Sequence, residues 1–150
     1  MNYVILGSSA AGVNGAKQIR KIDPNGKILM VSKDTSIYSR CILHYYMSGE
    51  RTVEELSFVE DDYLERYGIQ WMGETEVIGL DTEKREVSLS NKTKATYDKL
   101  LIATGSKSSL PPIEHIHKAK NVVGLRNIDD SLKIMEKAKE ADHIVVLGAG

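Results

Sequence analysis

Residues 2–12 read Asn2-Tyr3-Val4-Ile5-Leu6-Gly7-Ser8-Ser9-Ala10-Ala11-Gly12. A short continuous apolar run, 4–6, has the character of a strand buried on both faces. It enters a glycine turn, and from residue 10 the apolar residues Ala11, Val13, Ala16, Ile19 and Ile22 recur at roughly helical spacing. Asp23-Pro24-Asn25-Gly26 stops that helix and turns the chain. Residues 27–32, Lys-Ile-Leu-Met-Val-Ser, predict a second strand. Residues 1–32 thus spell one βαβ unit with a glycine-rich first turn, the arrangement used to bind dinucleotides. At the other end of the 150-residue chain, 143–150 read His143-Ile144-Val145-Val146-Leu147-Gly148-Ala149-Gly150. This is a second apolar run entering a glycine turn, so two dinucleotides are expected, one per unit.

The first loop spells Gly7-x-Ser9-x-x-Gly12 where the fingerprint is G-x-G-x-x-G. Gly7 permits the tight turn, and Gly12 lets helix and strand approach, with Ala16 continuing the small face. The middle position carries Ser9, whose hydroxyl is a potential phosphate donor. The helix start adds free amide hydrogens and a partial positive charge for the same anion. An acid that binds ribose hydroxyls belongs about 20 residues on. Ser32 stands there, followed by Lys33 and Asp34, so the acid is either missing or displaced to Asp34.

Between the two glycine turns the pattern changes. Residues 41–48 and 60–67 predict helices, the second closed by Gly68. Runs at 69–72, 75–80, 86–89 and 93–97, separated by turns at 81–85 and 91–92, predict an antiparallel meander inserted into a parallel fold. Residues 100–103 predict another buried strand, ending in Thr104-Gly105-Ser106. Pro111-Pro112 marks a linker. Residues 129–141 predict a helix capped by Asp129 or Asp130, and 143–147 a last strand. The boundaries expected are 1–110, 111–141 and 142–150.

Composition narrows the function classes. A hydrophobic fraction of 41% and a charged fraction of 27% are those of an ordinary folded domain. A net charge of −1 leaves no electrostatic case for nucleic acid or an acidic membrane surface. No apolar run approaches a membrane span. The first basic residue is Lys17, behind glycines, which is not the order of a signal peptide. The single cysteine, Cys41, forms no internal disulfide, and a reducing cytoplasm is the expected compartment.

Four ordered segments resemble the FAD-dependent pyridine nucleotide–disulfide oxidoreductases: 4–12, then Tyr38-Ser39-Arg40-Cys41, then Tyr97-Asp98-Lys99-Leu100-Leu101-Ile102-Ala103-Thr104-Gly105, then 144–150. Gly124-Leu125-Arg126-Asn127-Ile128-Asp129-Asp130 is similar to that family's lead-in to its NAD(P)H domain. The resemblance implies a glutathione-reductase-type, Rossmann-like α/β FAD fold with an inserted meander, here an incomplete two-dinucleotide fold. It implies that the loop Gly7, Ser8, Ser9, Ala10, Ala11 and Gly12 binds the FAD pyrophosphate. Ser32, Lys33 and Val77 are implied on the same cofactor, and Ala103, Thr104 and Gly105 form its second flavin-side motif. The late glycine turn then opens an NAD(P)H domain. NAD(P)H is the implied co-substrate, and the implied acceptor is a small redox protein, a nitrite-reducing partner, a disulfide or an oxygen species.

Two subgroups diverge at Cys41. Tyr38-Ser39-Arg40-Cys41-Ile42-Leu43-His44 resembles the coenzyme A disulfide reductases and NADH oxidases, in which a cysteine at this point faces the flavin and cycles through thiolate and oxidised states. Glycine usually follows that cysteine, where Ile42 stands here, and the peroxidase type carries histidine where Ala10 stands. The same segment, read as Tyr38-x-Arg40-x-x-Leu43, also resembles nitrite and rubredoxin reductase flavin modules that lack a redox cysteine. There Arg40 faces the cofactor and Cys41 is a packing residue. Both readings of Cys41 stand on the sequence.

Other patterns are read as structure. His115-x-His117 has no second pair to complete a metal site. The acids Glu54, Glu55, Glu60, Asp61, Asp62 and Glu65 read as a solvated face. Trp71, with Tyr63 and Tyr67 upstream, reads as core or interface and not as a stacking platform. Since the family's flavin domain is completed by later segments, the chain alone is expected to bind FAD weakly or not at all and to leave NAD(P)H unoxidised. An apolar 144–147 strand left unpaired is expected to promote self-association.

Overall fold

Strand β1 (Asn2–Leu6), helix α1 (Ala10–Ile22) and strand β2 (Lys27–Val31) form as the spacing predicts. The computed structural model describes residues 1–148. They divide into one unit of Met1–Ser39 with Ser57–Gly105 and another of Arg40–Leu56 with the described part of Ser106–Gly150.

The first unit is built on a parallel sheet. Strand β3 (Ile69–Met72) and strand β7 (Lys99–Ile102) join β1 and β2 in the order β3-β2-β1-β7. Residues alternate across it with the two-residue period of a strand. Ile5 faces a cluster with Val13 and Ala16 of α1, Ile28 and Met30 of β2, Ile69 of β3 and Tyr63 of the short helix α3 (Tyr63–Arg66). Val4 and Leu6 face the opposite cluster, with Val31, Val87 and Leu89. Ile5 and Met30 are fully buried, and each such side chain is worth about 1.5–3 kcal/mol in removed apolar surface.

The second cluster brings in an antiparallel sheet of β4 (Val77–Asp81), β5 (Glu86–Leu89) and β6 (Lys94–Thr96). The predicted meander is therefore three-stranded. Ile69–Met72 was expected in it but pairs in parallel with β2, Ile28 opposite Ile69 and Val31 opposite Met72. Its apolar run satisfies either sheet. Burial of Ile69 beside Ile28 and Tyr63 selects the parallel one.

The strand expected at 100–103 forms at Lys99–Ile102. It is not buried as predicted: Ile102 is 60% exposed, because β1 is its only pairing partner among the described residues.

In the second unit, the helix predicted over 41–48 is a 3-10 turn (Arg40–Ile42) running into α2 (Leu43–Met47). In the first unit, the helix predicted over 60–67 shrinks likewise to α3. Neither α2 nor α3 has a side-chain N-cap bond to hold a longer first turn. Gly68, at φ +54°, follows α3 as expected. Helix α4 (Ile128–Ala138) packs on α2. Its N-cap is Asn127, not Asp129 or Asp130: Asn127 accepts from the Asp130 amide at 2.8 Å, while the Asp130 carboxylate accepts from the Asn127 amide at 3.3 Å. The acid chosen as cap is the third-position partner of a capping box.

No strand forms at 143–148 among the described residues. Val145 and Val146 are 82% and 78% exposed, and a β conformation needs a ladder partner for its backbone groups. Ala149 and Gly150, the rest of the second glycine turn, lie outside the described residues.

Candidate functional site

Parallel pairing in register assembles the site in the first unit. Leu6 lies opposite Val31 on β2 and opposite Ile102 on β7. The residues that follow these three strand ends, Gly7, Ser32 and Ala103, therefore emerge in one row at the carboxyl edge of the sheet, where such folds bind ligands. Backbone bonds tie the row together. The Gly7 amide donates to the Val31 carbonyl and the Ala103 amide to the Leu6 carbonyl, each at 2.8 Å.

Gly7 is held at φ +105°, a conformation L side chains rarely adopt. A Cβ placed on it would collide with the carbonyl oxygen of Ala103 and crowd the Cα of Thr104. The glycine loop and the Ala-Thr-Gly turn, nearly a hundred residues apart in the sequence, thus meet backbone to backbone. Gly12 is buried, and a Cβ there would strike the Gly7 carbonyl oxygen. Ala16, at 0% exposure, continues that small face.

Helix α1 starts at this row. Ser9 is its N-cap by backbone, yet the Ser9 side chain makes no capping bond, and no acid occupies the first turn. Ala10 and Ala11 are exposed. The edge therefore presents unblocked helix amides, an uncommitted hydroxyl and no repelling carboxylate, which suits a phosphate group. A dinucleotide pyrophosphate suits such an edge, whose shape depends on Gly7 having no Cβ to push the Ala103-Thr104 backbone away.

At the end of β2, the Ser8 hydroxyl donates to the Ser32 hydroxyl at 3.0 Å, which donates to Asp34 Oδ2 at 3.2 Å. The Tyr38 hydroxyl donates to Asp34 Oδ1 at 3.2 Å. Asp34, the displaced acid, is thereby wired to the glycine loop. The segment is also gripped by the chain after β3: the Ser32 amide donates to the Met72 carbonyl and the Thr75 amide to the Ser32 carbonyl, both at 2.9 Å. Sequence reasoning missed this grip and the Tyr38 contact. The grip depends on β3 lying beside β2. Thr75, set between Glu74 and Glu76, is only 6% exposed, and nothing in its local sequence signals that burial.

Lys33, Thr104 and Gly105 are exposed at the same edge. Val77 packs against the cluster of Val4, Leu6 and Val31 and pairs with Leu89. Arg40 and Cys41 lie on the 3-10 turn of the second unit, with Cys41 exposed. Among the described residues no three of His, Cys, Asp and Glu group as metal ligands, and no helix is long and apolar enough to cross a membrane.

A parallel sheet in the order β3-β2-β1-β7, a glycine turn opening α1, and a second strand-end turn packed on it define a dinucleotide-binding domain of the Rossmann class. Residues 1–150 match the family described as pyridine nucleotide-disulphide oxidoreductase, and the chain belongs to that family. Its members bind FAD and NAD(P)H. The chain is 34% identical over 149 residues to the NADH-dependent phenylglyoxylate dehydrogenase subunit epsilon of Aromatoleum evansii, covering 99% of this chain and 35% of that one. It is 31% identical to the assimilatory nitrate reductase electron transfer subunit of Bacillus subtilis strain 168, covering 98% and 19%. Among solved structures, the covalent putidaredoxin reductase–putidaredoxin complex matches with a TM-score of 0.73 at 29% identity, covering 91% of this chain and 34% of that one. The chain spans about a third or less of the length of these relatives.

Proposed function

We propose that this chain is the FAD-binding first part of an NAD(P)H-dependent flavin oxidoreductase that passes electrons to a redox protein or a nitrite-reducing partner. The observation that carries the reading is the meeting of Gly7 with Ala103 and Thr104, which leaves two backbone turns and a helix start facing one edge. The amides at Ala10, Ala11 and Gly12 and the Ser9 hydroxyl would hold the pyrophosphate. Ser32 and Asp34, with Lys33 beside them, would take the adenosine ribose. Val77 would border the same cofactor, Thr104 and Gly105 would border its flavin side, and Arg40 would add a positive charge. A flavin supplies hydride acceptance from a nicotinamide and onward electron delivery. Residues 1–110 would then form the flavin portion, 111–141 the connection, and 142–150 the entry to an NAD(P)H-binding portion. One unpaired cysteine suits a reducing cytoplasm.

The names of the relatives support electron transfer to a partner, since one is an electron transfer subunit and another a reductase joined to putidaredoxin. The test is the visible spectrum of the oxidoreductase that contains this chain. Bound flavin that bleaches with NADH or NADPH is the expected result. A flavin-free protein with no flavin-dependent oxidation overturns the reading. The same spectrum on the 150-residue chain alone shows whether it holds FAD by itself, and size exclusion shows whether the exposed 144–147 segment pairs with a second copy.

A second reading is favoured by one observation, the exposed thiol of Cys41. In it Cys41 cycles between thiolate and disulfide or sulfenic states, as in a coenzyme A disulfide reductase or NADH oxidase. A Cys41→Ser oxidoreductase that turns over disulfide or oxygen substrates undiminished removes this reading and leaves the first intact.

A further inference from the structure

The chain contains the dipeptide Asn-Gly twice, at Asn14-Gly15 and Asn25-Gly26. In this dipeptide the following backbone nitrogen meets no side chain in its approach to the asparagine carboxamide. The fold puts the two copies in opposite settings.

Asn14 lies inside α1, and its Nδ2 donates to the Ala10 carbonyl at 2.8 Å. Helical backbone holds the Gly15 nitrogen in the ladder of i to i−4 bonds, and the carboxamide is tethered. Asn25 is exposed in the turn between α1 and β2, with Gly26 beside it buried. Its carboxamide has no hydrogen-bond partner among the described residues. The Gly26 amide is held only by a long 3.3 Å bond to the Asp23 carbonyl. Arg20 adds a positive charge: its Nη1 donates to the Pro24 carbonyl at 2.7 Å and to the Gly26 carbonyl at 2.9 Å. Those carbonyls belong to the peptides on either side of the Asn25–Gly26 peptide. A cation there favours loss of the proton from the nitrogen between them.

We propose that Asn25 is a site of spontaneous, structure-selected deamidation, independent of the cofactor reading. The Gly26 nitrogen gives its proton to a solvent base and attacks Asn25 Cγ. The new C–N bond closes a five-membered succinimide, the Cγ–Nδ2 bond breaks, and ammonia leaves with a proton taken from water. Water then opens either carbonyl of the ring, giving aspartate or isoaspartate at position 25. No electrons are transferred and the only co-reactant is water.

The isoaspartyl product lengthens the main chain by one methylene between Asn25 and Gly26. Gly26 has no room for it. A Cβ on Gly26 would already lie 2.7 Å from Tyr3 Cε2 and from Asp23 Oδ2. The next residue, Lys27, opens β2 by pairing with Asn2 and donating to the Met1 carbonyl at 2.9 Å. The modification thus loosens the entry of the strand whose far end carries Ser32.

The test ages the purified chain in mildly alkaline buffer made with heavy-oxygen water, then maps peptides by mass spectrometry and labels isoaspartate with its specific methyltransferase. In the native chain Asn25 is expected to convert about tenfold or more faster than Asn14, because Asn14 must await local opening of α1. In denaturant the two rates are expected to converge. Equal native rates, or faster loss at Asn14, overturn the proposal. So does a native Asn25 rate that stays at or below that of the exposed Asn91, whose next residue is Lys92.

Discussion

The Ser8 hydroxyl, 3% exposed, donates to the Ser32 hydroxyl, 5% exposed, at 3.0 Å. Ser32 Oγ also accepts from the Asp34 amide and donates to the Asp34 carboxylate, both at 3.2 Å. One buried oxygen thus joins the glycine loop to the end of β2. The fingerprint has an acid at that strand end. Here a neutral hydroxyl stands in its place and relays to an acid two residues on.

Ser32→Ala removes the acceptor of the buried Ser8 hydroxyl, a cost of about 1–3 kcal/mol. Ser8→Ala is expected to cost less, since Ser32 keeps its bond to Asp34. The double substitution should fall short of the sum, because the two share one bond. Urea unfolding of the three variants checks this, and strict additivity argues against the relay.

Gly7→Ala places a side chain at φ +105° and against the Ala103 carbonyl. A strained backbone of this kind costs about 1–3 kcal/mol, before any displacement of the Ala103 turn. The midpoint of thermal unfolding should fall, and flavin retention by the oxidoreductase with it. A variant as stable as the parent would show that the two turns do not depend on their close approach.

Arg20 Nε donates to the Tyr67 carbonyl at 2.8 Å and Nη2 to the Gly68 carbonyl at 3.1 Å, besides its contacts at the Asn25 turn. One guanidinium therefore ties the end of α1 to the end of α3. Arg20→Lys keeps the charge but loses the planar fork, and is expected to destabilise the chain by about 1–3 kcal/mol. Chemical denaturation measures it; a loss no larger than for the exposed Lys21→Arg would refute the clamp.

Tyr63 donates to the Val13 carbonyl at 2.9 Å. Burial, then the nearby Tyr67 and Glu60, push its hydroxyl from the ordinary 10.0 up to about 12. The folded state favours the protonated form. Its contribution is therefore complete below pH 10 and is lost as pH rises from about 10 towards about 12, where the unfolded chain releases the proton first. Tyr63→Phe should cost about 1 kcal/mol at neutral pH and make the alkaline fall in stability shallower than in the parent. An unchanged alkaline slope would mean that Tyr63 does not contribute to it.

Local signals were legible where each decides structure on its own. The apolar run, the glycine turn, the helical spacing of Val13 and Ala16, and Pro24 after Asp23 set β1, α1 and β2 before any tertiary contact is considered. The Ala103-Thr104-Gly105 turn was legible as a motif, as was the possibility that Asp34 replaces the missing acid. The capping of α4 was half legible: the acids were visible, but Asn127, extended in backbone and three residues before Asp130, takes the cap by accepting from the Asp130 amide.

Pairing decided the rest. Ile69–Met72 reads as a strand for either sheet, and only its burial against β2 and Tyr63 assigns it. Ile102 reads as core, yet a strand with one neighbour leaves it exposed. Residues 144–147 have the composition of a strand and no ladder to join among the described residues. The nearness of Gly7 to Ala103 lies in no local pattern either, because it depends on the register of β1 against β7. The sequence by itself determined the elements whose hydrogen bonds close within a few residues, and with them the dinucleotide loop. Only the tertiary structure decided which distant backbones meet there, since the energy of a strand edge or a close backbone approach resides in its partner.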